Sequence, residues 1–175
     1  MSEKRPFKIV FTGPESSGKT TISQLTAATY QSACLSEYAR TYLEATKGVY
    51  QAKDLVLIAK GQAKMEQQFI ADNASKPMLF FDTSHLVLKI WSSYKYGFYN
   101  FEIEKLLRAN LPDCYFLCDW NIPWEADPLR ENPEDRDILY EIYKNELAVL
   151  KVPFFELNGS IENRLRQINM VLQKW

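Results

Sequence analysis

The sequence has no long apolar run. Nothing in it approaches the roughly 20 residues that a membrane-spanning helix requires, and the opening Met-Ser-Glu-Lys-Arg carries no apolar leader, so the chain is expected to be soluble and cytoplasmic. It also lacks a block of lysine and arginine. With 21 basic and 22 acidic residues the formal net charge is −1, and no nucleic-acid backbone is expected as a partner. Cysteine is scarce and odd in number: Cys34, Cys114 and Cys118 read as reduced thiols. Cys114 and Cys118 fall on a strand-like run, where four residues span about 13 Å, too far for two ligands of one zinc, so they read as small buried hydrophobes. The single histidine, His85, carries no chemistry in this reading. The remaining composition, 46% hydrophobic and 25% charged over 175 residues, is that of one ordinary globular domain spanning 1–175.

What the sequence does have is Gly13-Pro14-Glu15-Ser16-Ser17-Gly18-Lys19-Thr20, which fills every fixed position of the P-loop pattern G-x-x-x-x-G-K-[ST]. Two glycines let the backbone turn so tightly that successive N–H groups point at nucleotide phosphates. Lys19 then reaches the β and γ oxygens, and the Thr20 hydroxyl takes Mg²⁺. The flanks fit the motif. Phe7 to Thr12 reads as a buried parallel strand, and Ile22, Leu25 and Ala28 recur at helical spacing, so a helix N-terminus adds positive potential at the phosphates. ATP and Mg²⁺ are the expected ligands.

Ala33 to Leu35 reads as a short second strand ending in Glu37-Tyr38-Ala39-Arg40. Ligands gather beyond the carboxyl ends of parallel strands, which suits Glu37 to bind or deprotonate an acceptor hydroxyl and Arg40 to steady an anionic group. The plainer alternative is an exposed Glu37–Arg40 ion pair. Asp54 reads as the N-cap of a helix with the stripe Leu55, Ile58, Gln62, Met65 and Phe69, ending before the polar Asn73–Pro77. Met78 to Asp82 is four apolar residues and a carboxylate, the pattern of a strand whose aspartate holds Mg²⁺ directly or through water; a helix cap is the alternative for Asp82.

Between Trp91 and Phe101 the chain is dense in aromatic residues and partly loop-like. These residues either pack a core or line a pocket for a flat ring, and Trp91, nearest the Asp82 strand end, is the stacking candidate. Residues 112–119 give a fourth strand ending in Asp119. The Asn-Lys-x-Asp that guanine-specific switch proteins carry there is missing, so guanine selectivity has no support. From 120 to 136 three prolines and alternating charges break any regular element, and the segment reads as a lid from which Arg130 and Arg136 could offset charge on a transferring phosphoryl group; salt bridges are their alternative. Asn132-Pro133-Glu134-Asp135 resembles a helix start, followed by Ile138, Leu139, Ile142, Tyr143 and Leu150 on one face. Phe154 to Leu157 is a fifth strand, the loop at Asn158 is placed to contact adenine, and Ser160 caps a last helix with Ile161, Leu165, Ile168 and Leu172 inward.

Five strands alternating with helices predict an α/β, three-layer P-loop NTPase/kinase fold with a mostly parallel five-stranded sheet. In-line phosphoryl transfer follows as the expected chemistry. Gly13, Glu15, Ser16, Ser17, Gly18 and Lys19 would hold the phosphates, Thr20 and Asp82 the metal, and Glu37 or Asp82 would take the hydroxyl proton. Two rival classes fit the same residues: a kinase for another nucleoside or a vitamin alcohol, and an ATPase or nucleotide switch acting on a partner protein. Oligomeric state is not legible.

The P-loop octapeptide, Glu37-Tyr38-Ala39-Arg40, Phe81-Asp82-Thr83 and the run from Trp124 through Asp127 and Arg130 to Arg136 together resemble the ribosylnicotinamide kinase domain of the bifunctional NAD-salvage proteins and their stand-alone relatives. The resemblance covers nearly all of the chain. It implies ATP- and Mg²⁺-dependent phosphorylation of the ribose 5′-hydroxyl of nicotinamide riboside to nicotinamide mononucleotide, with Tyr38, Trp124 and Asp127 joining Glu37, Arg40 and Trp91 around the substrate.

Overall fold

Apolar, aromatic and β-branched runs build the sheet. β1 (Phe7–Thr12), β2 (Cys34–Leu35), β3 (Met78–Asp82), β4 (Cys114–Cys118) and β5 (Phe154–Leu157) lie in the order β2-β3-β1-β4-β5, each neighbouring pair parallel. A computed structural model describes residues 5–175, and the leader reading of residues 1–4 falls outside them. Among the described residues the sheet is wholly parallel, and the expected α/β class holds. Ile9, Val10, Phe11, Phe80, Phe81, Tyr115, Phe116 and Leu117 are all fully buried, which is why these strands read as unbroken apolar runs rather than alternating ones.

Among the described residues seven helices cover the two faces: α1 (Lys19–Thr29), α2 (Tyr38–Ala45), α3 (Ala52–Asp72), α4 (His85–Tyr96), α5 (Phe101–Ala109), α6 (Arg136–Leu150) and α7 (Ile161–Leu172). Successive strand residues point to opposite faces. Val10, Phe81 and Tyr115 therefore pack against Leu86 and Ile90 of α4 and Tyr143 and Leu147 of α6, while Ile9, Phe11 and Phe116 pack against Ile22 of α1 and Ile168 of α7. A third cluster, with Ala39, Leu55, Ile58 and Ile103, joins α2 to α3 and α5. Among the described residues no helix is long and apolar enough to cross a membrane.

Several local expectations change. The inward face of α1 is Ile22, Ser23, Thr26 and Ala27, with Leu25 and Ala28 outward, because small residues there allow close packing on the sheet. α3 starts earlier than expected: Gln51 is its N-cap and Asp54 the reciprocal partner of a capping box, its carboxylate accepting the Gln51 N–H at 2.7 Å. The aromatic segment from Trp91 to Tyr96 is helical, and Phe98, Tyr99 and Phe101 are exposed. α6 begins at Arg136 with Asp135 at its N-cap, so Asn132 and Pro133 stay in the irregular stretch. Ile138 and Ile161, each in the first turn of its helix, are exposed.

One polar group lies deep between β1 and α3. Lys8 Nζ meets Glu66 Oε2 at 2.5 Å, with side chains 7% and 1% exposed. Such a pair returns less than it costs to desolvate, yet removing one partner strands the other charge. Glu66→Ala is expected to lower stability by about 3–5 kcal/mol in urea unfolding.

Candidate active site

The parallel register sets the site's geometry. Phe11 pairs with Asp82 and Thr12 with Leu117, so the carboxyl ends of β1, β3 and β4 open onto one crevice, where the phosphate loop leaves β1. Glycine is required at both loop corners. Gly13 has φ 136°, and a Cβ there would stand 2.7 Å from the Cys118 carbonyl oxygen; Gly18, at φ 79°, is the N-cap of α1. Lys19 Nζ donates to the Pro14 carbonyl at 2.6 Å, folded over its own loop.

Thr20 Oγ1 donates to Asp82 Oδ2 at 2.6 Å, joining the loop's hydroxyl to the β3 carboxylate. Asp82 is not a helix cap: Ser84 caps α4, accepting the Leu86 N–H at 3.3 Å. The other carboxylate oxygen, Oδ1, is buried and has no hydrogen-bond partner among the described residues. Burial pushes the Asp82 carboxyl up, against the Thr20 hydroxyl and the Lys19 and Arg40 charges that pull it down. A hydroxyl beside a carboxylate with one free oxygen fits a hard oxygen-seeking cation such as Mg²⁺, which takes one or two protein oxygens and completes its shell with phosphate and water. Thr83, immediately beyond, is held at φ 74°, a conformation β-branched residues rarely adopt, while its N–H stays on the Phe11 carbonyl at 3.0 Å.

Glu37 stands at the end of β2 in the N-cap position of α2, and its carboxylate makes no cap hydrogen bond. It lines the same cavity as Asp82 and keeps part of its surface open to it. Desolvation by the enclosing protein, then the Asp82 charge, with Glu15 adding to both, push its carboxyl up to about 7; Lys19 and Arg40 oppose the shift. The alternative Glu37–Arg40 ion pair does not form. Arg40 Nη2 instead reaches Asp127 Oδ2 at 2.7 Å, and Nη1 lies 3.8 Å from Glu44. The raised Glu37 carboxyl has a sign for stability. Between its ordinary 4.5 and about 7 the folded chain holds a proton that the unfolded chain has lost, so stability falls as pH rises through that window. Glu37→Gln removes this penalty, and its melting temperature is expected to exceed that of the parent by about 5–10 °C at pH 8 and to equal it at pH 4.

The cavity holds about 880 Å³ and runs from the phosphate loop to a largely apolar wall with Leu43, Val87, Ile90, Trp91 and Leu139. Trp91 is fixed by its Nε1 donating to the Tyr50 hydroxyl at 2.9 Å and by an edge contact with the Tyr50 ring, centroids 4.8 Å apart. Residues 120–136 cross above, tied to the loop. The Glu15 carboxylate accepts the N–H groups of Glu131 and Asn132, both at 2.9 Å, and Ser16 Oγ accepts that of Glu125 at 2.9 Å. Arg130 donates to Ser16 Oγ at 3.3 Å and to the Glu125 carbonyl, and Arg136 to the carbonyls of Ser16 (3.3 Å) and Ile122 (3.0 Å). Lys95 on α4 holds Glu131 at 2.8 Å.

Of the expected site residues, Gly13, Glu15, Ser16, Ser17, Gly18, Lys19, Thr20, Glu37, Arg40, Asp82, Trp91 and Arg130 line this one cavity. Tyr38, Trp124, Asp127, Arg136 and Asn158 are not on its lining. Tyr38 packs its ring over Gly61, where a Cβ would come within 2.1 Å. Trp124 lies against the guanidinium groups of Arg130 and Arg136, 5.9 and 5.6 Å from its ring centre; Asp127 is spent on Arg40, and Asn158 on Gln167 and Asn163, while the adjacent Gly159 and Ser160 do line the cavity. Sequence reasoning missed Arg164. It is 3% exposed and donates to the carbonyls of Ser17 (2.7 Å), Gly159 (3.1 Å) and Asp119 (3.1 Å), bracing the loop from α7. An arginine four residues before Ile168 in an apolar stripe was the available signal. Leu139 and Tyr143, read as core, also face the cavity.

A family model described as an AAA domain matches residues 8–164. No curated protein matches the chain. Among solved structures, the NadR protein in complex with NR superposes with a TM-score of 0.75 at 17% identity, over 96% of this chain and 52% of that one. NadR in complex with NAD and AMP-PNP gives 0.76 at 19% identity, over 96% and 50%. Thymidylate kinase from Ehrlichia chaffeensis gives 0.70 at 19% identity, over 97% and 100%. The chain spans about half the length of the NadR chains it matches, and at these identities the likeness establishes the fold, that of P-loop kinases.

Proposed function

The chain belongs to the AAA domain family, and from there we propose that it is an ATP- and Mg²⁺-dependent small-molecule kinase that phosphorylates the 5′-hydroxyl of nicotinamide riboside, giving nicotinamide mononucleotide. The observation that carries the reading is the meeting, in one cavity, of a complete phosphate loop with two carboxylates, Glu37 and Asp82, facing an apolar wall that holds Trp91. A phosphate site explains the loop alone. An acceptor accounts for the Glu37 carboxylate and the apolar space beyond it. The motif resemblance to ribosylnicotinamide kinases and the fold shared with NadR in complex with NR support the choice of acceptor.

In this mechanism Lys19 leaves the Pro14 carbonyl for the β/γ phosphate oxygens, and the backbone N–H groups of Glu15 to Lys19, Pro14 having none, receive the phosphate chain. Thr20 and Asp82 would hold Mg²⁺, which when bound neutralises charge on the β and γ phosphates. Glu37 accepts the proton of the acceptor hydroxyl as that oxygen bonds to the γ-phosphorus; the bond to the β,γ-bridging oxygen breaks and ADP leaves. A carboxyl titrating near 7 is ionised in a useful fraction at neutral pH and still basic enough to take a proton. Arg130 adds positive charge from the lid, and Arg136, bound to the Ser16 carbonyl, keeps lid and loop in register. The whole chain 1–175 acts as one domain, with residues 120–136 as the lid.

Incubation with Mg·ATP and nicotinamide riboside followed by mass spectrometry tests the reading. A product heavier by one phosphoryl group, with the phosphate on the 5′ oxygen, is expected. Phosphorylation of only a different alcohol would keep the kinase and discard this acceptor, and ADP formed at a rate no alcohol changes would contradict both.

A further inference from the structure

The first turn of α2 receives no side-chain acceptor from its N-cap residue. Glu37 sits at the N-cap, but its carboxylate faces the cavity and leaves the helix's first N–H groups uncapped. The acceptor comes from another helix: Gln62 Oε1 on α3 takes the Tyr38 N–H at 3.0 Å. The Gln62 amide can point only one way, because its Nε2 donates to Glu66 Oε1 at 2.9 Å and a carboxylate accepts only from the amide's NH₂ end. Glu66 is held in turn by Lys8 Nζ, which also donates to the Asn110 carbonyl at 2.8 Å, and Lys8 lies on β1, the strand that enters the phosphate loop. Lys8, Gln62 and Glu66 are 5%, 3% and 1% exposed. The Tyr38 ring, closed over Gly61, holds the same helix start from its other side.

We propose that Gln62 is a positioning residue for Glu37. It accepts the Tyr38 N–H, the first unpaired donor of α2, and so fixes the helix start from which the Glu37 carboxylate faces the cavity, and through Glu66 and Lys8 it ties that start to the strand that carries the phosphate loop. The proposal rests on the kinase reading above, in which Glu37 takes the acceptor proton. A buried ion pair gives little net stability over apolar packing, so its return here is registration: base and phosphate site are fixed to one another through three side chains. Displacing a reacting group by about 1 Å costs on the order of a hundredfold in rate. Without Gln62 Oε1, the first N–H of α2 loses its acceptor and the helix start that carries Glu37 loses its polar tie to α3.

The test compares Gln62→Met, which keeps length and removes the acceptor, with Glu37→Gln and the double variant, by steady-state kinetics and amide hydrogen exchange. Gln62→Met is expected to lower kcat about tenfold or more with KM for ATP unchanged, and to speed Tyr38 N–H exchange while α7 exchanges as before. In the Glu37→Gln background it is expected to lower kcat no further, which a merely structural role would not produce. Should Gln62→Met fail to fold, Gly61→Ala displaces the same helix start through the Tyr38 ring and is expected to show the same pattern. Unchanged kcat in a folded variant, or an equal loss with and without Glu37, overturns the proposal. If Glu37→Gln alone leaves kcat intact, the kinase reading's base is wrong, and hydrogen exchange then decides: unchanged Tyr38 exchange overturns the capping role on its own.

Discussion

Lys19→Ala is expected to reduce phosphoryl transfer about a thousandfold or more while the protein stays folded. The side chain supplies the one charged donor inside the loop; its only hydrogen bond among the described residues is to the Pro14 carbonyl, so folding loses little when it goes. Transfer loses a great deal. Positive charge aimed at the migrating phosphoryl group acts in a water-poor cavity, where one preorganised donor is worth about a hundred- to a thousandfold and a full charge more. Thermal unfolding of the variant should shift by no more than about 0.5 kcal/mol, the range of substitutions that break no buried contact. A Lys19→Ala protein that turned over at even a tenth of the parent rate would place the phosphate chemistry elsewhere.

The second large effect falls on Glu37. Glu37→Gln is expected to lower kcat by about a hundred- to ten-thousandfold with ATP affinity nearly intact, because the amide keeps the shape and loses the base. The parent's kcat/KM should climb with pH below about 7, where Glu37 goes from carboxyl to carboxylate, and level off above it. The variant should lose that limb. An equal loss of ATP affinity in Lys19→Ala and Glu37→Gln would refute the role given to Glu37, as would an acid limb that survives the substitution.

The part of this account that the sequence carried was local. The phosphate loop is read from eight consecutive residues because its geometry needs two glycines, a lysine and a hydroxyl at fixed spacing, and β1, β3 and β4 from apolar runs that only a strand buried on both faces requires. Asp82 and Glu37 were legible because carboxylates at the ends of such strands face the crevice. What stayed hidden was long-range pairing. Asp127 binds Arg40 from the lid, Glu15 binds the backbone of Glu131 and Asn132, and no spacing rule links residues so far apart in sequence. The same holds for Gln62, which read as one more stripe residue of a helix and in fact caps a different one. Arg164 was passed over because an apolar stripe draws attention to Leu165 and Ile168 and away from the buried arginine just before them. Trp91 to Tyr96 read as partly loop because aromatic density masked the helical period of Leu86, Ile90 and their neighbours.

The measurement that bears most directly on the central claim is the rate of ADP release from Mg·ATP with and without nicotinamide riboside, beside uridine, cytidine and thiamine. The account predicts strong stimulation by nicotinamide riboside and little by the other three. Slow release unchanged by any of the four would contradict it.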